Sequence, residues 1–287
     1  MQPDGSIENI ILSNDKRDIA QFSRYLPSAF CEDAARFLLT HPQNAIITTG
    51  FLIPMSLKPE TDGPPSAIAL GDALSALGWE VTYVTDHYTV PLLKPFTNKN
   101  SIINFPITDL FTSKDFSKQL LKRINPSILI SIERCGINEF GLYANMTGID
   151  ITSHTARVDT LFSESIPSIG VGDGGNEIGM GNIPVSNETK QLKIDFSITS
   201  TSKLIISSVS NWGCYGLIAA LSIQIQKNLL PSIDSQKCLI QGMVALGAVD
   251  GTTGQSTTTV DSFCLKENLS ILQALHHFVE ENLTEQK

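Results

Sequence analysis

Residues 127–132 read Ser-Ile-Leu-Ile-Ser-Ile and are followed by Glu-Arg-Cys-Gly at 133–136. The apolar run Ile128–Ile130 does not alternate with polar residues, which is typical of a strand buried on both faces of a sheet. Such strands occur in parallel sheets that helices cover on each side. This segment therefore predicts a three-layer α/β fold.

Short apolar segments of the same kind occur along the chain from residue 44, and amphipathic stretches separate them. Strands that alternate with helices indicate a doubly wound, mostly parallel sheet. The predicted strands are Ala45–Thr49, Glu80–Thr85, Ser101–Phe105, Ser127–Ile132, Pro167–Val171 and Lys203–Ser208. The predicted helices are Pro65–Leu77, Lys114–Ile124, Val158–Glu164, Tyr215–Gln226, Gln236–Leu246 and Leu269–Glu281.

The first 43 residues differ from the rest because they lack β-branched runs. Apolar residues recur at helical spacing at Phe30, Ala34, Ala35, Leu38 and Leu39. We expect residues 1–43 to form a helical N-terminal segment that packs on an α/β catalytic domain of residues 44–287. The alternative is a lead-in arm without a packing role.

Composition excludes several classes of partner. The chain has 287 residues, 41% of them hydrophobic, and a net charge of −9 without any basic face, which disfavours nucleic acid and anionic membranes as partners. The five cysteines are odd in number and widely spaced, which argues against a disulfide framework. With no leader-like N-terminus, we expect a cytoplasmic protein. The sequence does not indicate an oligomeric state.

Polar residues and glycines are concentrated where the predicted strands end. In an open parallel sheet, ligands bind outside the carboxyl ends of the strands, near the point where the strand order reverses. We therefore expect the site to be formed by five groups of residues: Thr49-Gly50, Asp86, Glu133 to Gly136, Gly172 to Glu177, and Ser210 to Gly213.

The segment Gly170–Gly181 contains six of the chain's 20 glycines in twelve residues. Such density indicates backbone at positive φ and amide groups that form an anion-binding concavity. The G-x-G-x-x-G match over Gly170–Gly175 also suggests a nucleotide site, but Asp173 would repel a pyrophosphate. A purely structural turn is a third interpretation, which leaves the clustering of Asp173, Asn176 and Glu177 without a reason.

Three other pairs of residues each allow a ligand-binding and a structural interpretation. Arg134 can bind a carboxylate and Glu133 can accept a proton, or the two can form an ion pair at the sheet edge. In Asp62-Gly63, the carboxylate can face the site or complement the dipole of the following helix. In Asn211-Trp212, the side chains can line a pocket, or Asn211 can cap a helix.

Taken in order, these motifs resemble the D-glutamate cyclase-like family. The matching segments are Thr49-Gly50-Phe51, Thr61 to Pro65, Ser131 to Gly136, Asn145 to Asp150 without Thr147, and Gly170 to Gly181. The resemblance implies a lyase that converts D-glutamate to 5-oxo-D-proline and water. A nucleotide or phospho-ligand enzyme and a non-catalytic metabolite-binding module are the alternatives.

Ring closure requires a base, an acid and a group that stabilises the oxyanion. We expect Glu133, Asp173 and Glu177 to supply the catalytic carboxyl groups. An oxygen-rich cluster also suits Mg²⁺, which is a possible cofactor, whereas no lysine points to pyridoxal chemistry. The expected substrate-binding residues are Thr49, Gly50, Asp62, Gly63, Arg134, Gly172, Gly174, Gly175, Asn176, Asn211 and Trp212.

Overall fold

A six-stranded parallel sheet forms the centre of the molecule. The computed structural model describes residues 5–97, 100–184 and 196–284. The strand order is β3-β2-β1-β4-β5-β6, and every neighbouring pair is parallel, which confirms the doubly wound sheet. The strands are β1 Asn44–Thr49, β2 Glu80–Thr85, β3 Ser101–Asn104, β4 Ile128–Ile132, β5 Ser168–Gly172 and β6 Lys203–Ile206.

The strand order reverses between β1 and β4, because the chain runs from β1 to β3 on one side and from β4 to β6 on the other. In this pair, Ala45 lies opposite Ile128 and Thr49 lies opposite Ile132. Both strands therefore end at the same level, and the crevice above them is where such sheets bind ligands.

Eight α-helices are described, and most lie where the sequence predicts them. The segment 158–163 is a 3₁₀ helix rather than an α-helix, and α1, α4 and a short hairpin (Leu52–Ile53 with Lys58–Pro59) were not predicted. The helices are α1 Ile7–Ile11, α2 Phe30–Leu39, α3 Pro64–Ala76, α4 Val90–Leu93, α5 Leu110–Ile124, α6 Ser210–Gln224, α7 Ile233–Ala245 and α8 Leu265–Thr284.

Alternate residues of each strand enter two separate cores, as the two-residue period of a strand requires. Ile47 and Ile130 pack in the larger core with α1–α3 and α6–α8. Ile46 and Leu129 pack in the smaller core with α5 and the 3₁₀ segment. The fold therefore has three layers. Among the described helices, none is long and apolar enough to cross a bilayer.

The N-terminal segment packs on the main body through α6. Ile7, Ile11 and Cys31 surround Gly216 so closely that a Cβ at that position would lie 3.1 Å from both isoleucines and 3.2 Å from the thiol. The Ser208 amide also donates a 3.0 Å hydrogen bond to the Ile11 carbonyl. Because Ser208 follows β6, these contacts bring the start of the chain to the carboxyl edge of the sheet.

Candidate active site

A cavity of about 460 Å³ opens at the carboxyl ends of the strands, within the roughly 300–1,000 Å³ range of small-molecule sites. Its walls come from the N-terminal segment, the loops after β1, β4, β5 and β6, and the segment before α8. The lining residues are Lys16, Arg17, Phe51, Ile53, Pro54, Met55, Glu60, Glu133, Asn145, Met146, Thr147, Ile149, Asp173, Asn176, Ser208, Gly251, Thr252, Asp261, Ser262 and Phe263.

Four buried carboxyl groups face this cavity: Glu60, Glu133, Asp173 and Asp261. Burial raises the pKa of Glu60 and of Glu133 well above the usual range, and repulsion from neighbouring carboxylates adds to the effect. Burial also raises the pKa of Asp173, although Arg17 opposes this increase. These carboxyl groups therefore keep their protons to a higher pH than free carboxyl groups do, a property that a general acid needs.

A guanidinium group bridges two of these carboxylates. Arg17 Nη1 lies 2.5 Å from Asp173 Oδ1, and Nη2 lies 3.1 Å from Asp261 Oδ2. The Asp15 carboxylate fixes the Arg17 turn by accepting hydrogen bonds from the amides of Arg17 and Ala20, each 2.9 Å. Arg17 therefore holds together acidic groups from two distant parts of the chain.

A second cation lies nearer to solvent. Lys16 is exposed, and its Nζ is 3.4 Å from the centre of the Phe263 ring, within the range of a cation–π interaction. Lys16 is therefore a candidate partner for an anionic group of a ligand at the cavity mouth.

Glu133 enters the cavity through an unusual backbone conformation. Its φ is 45°, in the left-handed region that non-glycine residues rarely adopt. The Ser210 hydroxyl donates a 2.6 Å hydrogen bond to Glu133 Oε2. Gly63 is required beside it, because a Cβ there would lie 2.7 Å from Glu133 Cβ.

The glycine-rich loop does form an amide concavity, but its occupant is Glu177. Glu177 Oε1 accepts hydrogen bonds from the amides of Asp173 at 3.1 Å and Gly174 at 2.6 Å, and Oε2 accepts one from Gly175 at 2.7 Å. A Cβ at Gly172 would lie 2.9 Å from Glu177 Cδ. The glycines therefore make room for an internal carboxylate, and a phosphate would have to displace it.

Arg134 lies behind the cavity rather than in its wall. Its Nη1 is 2.7 Å from Asp86 Oδ2 and donates at 2.7 Å to the Gly50 carbonyl, and its Nη2 donates at 2.9 Å to the Ala156 carbonyl. The guanidinium pairs with Asp86, joins the ends of β4 and β2, and does not line the cavity. Arg134 does form an ion pair at the sheet edge, but the partner is Asp86 and the predicted partner, Glu133, was wrong.

Asp62 and Asn211 exchange helix caps. The Asp62 carboxylate accepts hydrogen bonds of 2.8 Å from the amides of Ser210 and Asn211, the first residues of α6. Asn211 Oδ1 accepts hydrogen bonds from the amides of Gly63 and Ser66 at the start of α3, at 3.1 and 3.2 Å. Each side chain caps the other's helix, so both are scaffold contacts next to the site.

Burial and the nearby Asp261 raise the pKa of Asp62 to about 7.

Three further predicted ligands also lie outside the cavity lining. Trp212 is buried and donates a 2.9 Å hydrogen bond from Nε1 to Asn268 Oδ1. Thr49 is buried beside Gly63, and Gly50 at φ 99° packs against Thr89. Together with Asp62, Gly63, Arg134 and Asn211, these residues position the wall without facing the ligand space.

The structure brings three predicted residues, Glu133, Asp173 and Asn176, to the cavity. Sequence reasoning missed Lys16, Arg17, Glu60 and Asp261. Glu60 directly precedes the quoted Thr61–Pro65 motif, which is a signal that could have identified it. The other three lie before the first strand or after the last, where the strand-end rule does not apply.

Two groups of carboxylates have the spacing of a metal site, with oxygens within 4.8 Å of one another: Asp62 with Asp173 and Asp261, and Glu133 with Asp173 and Glu177. Oxygen ligands of this kind suit Mg²⁺. However, Arg17 already bridges Asp173 and Asp261, and backbone amides engage both oxygens of Asp62 and of Glu177. The arrangement does not fit a metal ion unless Arg17 is displaced.

The fold and the cavity together define a doubly wound α/β protein with a cavity lined by buried carboxyl groups at the carboxyl ends of its strands. The family model described as D-glutamate cyclase-like, C-terminal, matches residues 7–276, and the chain belongs to this family. It is also similar to the human protein named D-glutamate cyclase, mitochondrial, with 32% identity over 226 residues. That match covers 70% of this chain but only 36% of the human protein.

Proposed function

We propose that this protein is a lyase that cyclises D-glutamate to 5-oxo-D-proline with loss of water. The observation that carries the proposal is the convergence of four buried carboxyl groups and one bridging guanidinium on a single cavity. Membership of the family and the name of the human relative supply the reaction. Because the chain spans about a third of that relative, the activity of the separate chain is part of the proposal.

Two buried carboxyl oxygens of the cavity can bind the substrate ammonium. Glu60 Oε1 and Asp173 Oδ2 are buried and have no hydrogen-bond partner in the structure. Buried polar atoms without partners are costly, so a ligand that donates hydrogen bonds is favoured there. We assign the amino group of the substrate to this acidic floor and one of its carboxylates to Lys16.

Burial raises the pKa of both Asp173 and Glu133, but Asp173 is the one of the two that forms an ion pair with Arg17, which opposes the increase. The guanidinium favours the anionic form of Asp173, which makes Asp173 the base that takes a proton from the attacking amine. Among the described residues no cation contacts Glu133, and burial with neighbouring carboxylates raises its pKa, which makes it the acid that protonates the departing hydroxyl. The amine nitrogen then bonds to the side-chain carbonyl carbon, and water leaves.

The direct test is incubation with D-glutamate and, separately, L-glutamate, followed by chromatographic detection of 5-oxoproline. Asp173→Asn should lower kcat by roughly 100-fold or more, since a general base contributes about 10²–10⁴ to the rate. Glu139→Gln, an exposed acid-to-amide change outside the cavity, should retain the parental rate. An Asp173→Asn protein with full activity, or D-glutamate binding without any product, contradicts the proposal.

We also propose a reducing location such as the cytoplasm, because all five cysteines are free and three of them are buried. The human relative is named as mitochondrial. Fractionation of the source cells distinguishes the two locations.

A further inference from the structure

The cavity changes character from its floor to its mouth. Glu60, Glu133 and Asp173 at the floor are at most 6% exposed. At the mouth, Met55 is 72% exposed and Ile149 is 47% exposed. Both mouth residues line the same cavity as the acids, so apolar side chains lie beside Lys16 and exposed hydroxyl groups at the opening, above an acidic floor.

The apolar part of the wall is continuous with the interior of the protein. Phe51 and Ile53, which also line the cavity, belong to a buried apolar cluster beneath the hairpin. Met146 comes from the opposite loop and lies against the glycine-rich turn, 3.2 Å from where a Gly174 Cβ would be. Two facing loops therefore supply apolar surface above the acidic floor.

D-glutamate alone does not explain this wall. The amino acid carries polar groups at both ends and is much smaller than the drug-sized ligands that fill cavities of this volume. Apolar surface exposed beside a polar floor is typical of a site for a ligand with a polar head and an apolar tail.

We infer that the site also accepts D-glutamate whose γ-carboxyl is joined in an amide to an apolar amine, and that it releases this amine. The inference rests on the proposed function, because the same ring closure occurs on the acidic floor. The tail is placed on the γ-carboxyl because the leaving group departs from that carbon, and the open mouth gives it an exit.

Release of the amine from the γ-amide requires no reactant other than the substrate. The substrate amine nitrogen bonds to the γ-carbonyl carbon and gives a proton to a carboxylate of the floor. The bond between that carbon and the amide nitrogen then breaks, and a protonated carboxyl supplies a proton to the leaving nitrogen. The products are 5-oxo-D-proline and the free amine.

The test compares D-glutamate with its γ-methylamide, γ-butylamide and γ-hexylamide, measuring 5-oxoproline and amine release. The KM of the amides should fall by about two- to fourfold for each methylene that contacts the wall. The α-butylamide, whose tail is on the other carboxyl, should show no such gain. A sample without enzyme gives the rate of uncatalysed ring closure, and Asp173→Asn should lower turnover of D-glutamate and of the amides alike.

Variants of the exposed mouth test the contact itself. Met55→Ser and Ile149→Ser should flatten the dependence of KM on chain length, whereas Phe111→Ser, 83% exposed and outside the lining, should preserve it. If D-glutamate is cyclised but no amide releases its amine, or if KM does not depend on chain length, the inference is wrong and the proposed function stands. If neither substrate type is cyclised, both are wrong.

Discussion

Glu60 is a single residue whose surroundings in this cavity are unfavourable for folding. The side chain is buried, one of its oxygens has no hydrogen-bond partner, and neighbouring acids surround it. Gly251 is needed to accommodate it, because a Cβ there would lie 2.0 Å from Glu60 Oε2. Such an arrangement is unfavourable for folding and is typical of functional sites.

The pKa shifts predict how stability depends on pH. Burial raises the pKa of Asp62 from 3.8 to about 7 and raises the pKa of Glu60 well above its usual range, so the folded state holds these protons more tightly than the unfolded state. Their contribution to stability is complete below the unfolded pKa values and is lost as the pH rises through the folded ones. Each pKa unit corresponds to roughly 1.4 kcal/mol.

Replacing Glu60 with Gln should therefore reduce the loss of stability between pH 5 and pH 8, while lowering turnover of D-glutamate. The measurement is the free energy of unfolding from urea titrations at both pH values, together with kcat/KM. Glu139→Gln removes an exposed acid and should change neither. An unchanged pH dependence in Glu60→Gln would show that this carboxyl is not held protonated by the fold.

At the same scale, the charges of Arg134 and Glu177 could be read from the sequence, but their hydrogen-bond partners could not. Gly50, Ala156 and the amides of the glycine-rich loop use backbone atoms, which carry no residue-specific signal. By contrast, Glu133 and Asp173 follow strand ends directly, so the strand-end rule was sufficient to place them in the cavity.

At the scale of elements, the central strands β4 and β5 were predictable because each is a short run buried on both faces. The start of α6 could not be predicted from the sequence. Ser210 begins this helix instead of Tyr215, because Asp62 from a distant loop accepts the hydrogen bonds of its first amides. A helix whose cap comes from another element has no local start signal.

The exchange of caps between α3 and α6 predicts a coupled loss of stability and activity. Asn211→Ala removes the acceptor for the Gly63 and Ser66 amides, and buried donors left unpaired cost about 1–3 kcal/mol. Because Ser210 in the same turn bonds to Glu133, kcat should fall as well. Urea titration and steady-state kinetics measure the two effects.

Ser232→Ala is the matched control for this element. Ser232 caps α7 conventionally, by accepting a 3.1 Å hydrogen bond from the Ser235 amide at an exposed position. Its loss should cost about 1 kcal/mol without affecting kcat. Equal kinetic effects in the two variants would argue against a link between the α3–α6 caps and the site.

At the scale of the whole molecule, the layers follow from the alternation of strands and helices. The walls of the cavity, by contrast, depend on contacts between segments before the first strand and after the last one. Arg17 precedes the first strand, yet it forms ion pairs with Asp173 after β5 and with Asp261 after the last strand. No periodicity or motif links these positions, so the sequence could not reveal that the N-terminal segment completes the cavity.

We therefore propose that residues 5–43 fold cooperatively with the main body, since α1 shares its core and the carbonyl of Ile11, at its end, accepts a hydrogen bond from the Ser208 amide. Ile11 is fully buried, and Ile11→Ala should lower the global free energy of unfolding by about 2–5 kcal/mol. Fluorescence of the two buried tryptophans, Trp79 and Trp212, far-UV circular dichroism and residual activity should then report one coincident transition at a lower urea concentration. Ile198→Ala, at a position 57% exposed, should shift this transition only slightly. If Ile11→Ala instead abolished activity in a separate early transition while the tryptophan signal stayed native, the segment would be an independently opening part of the site, and Arg17 would leave Asp173 without unfolding of the sheet.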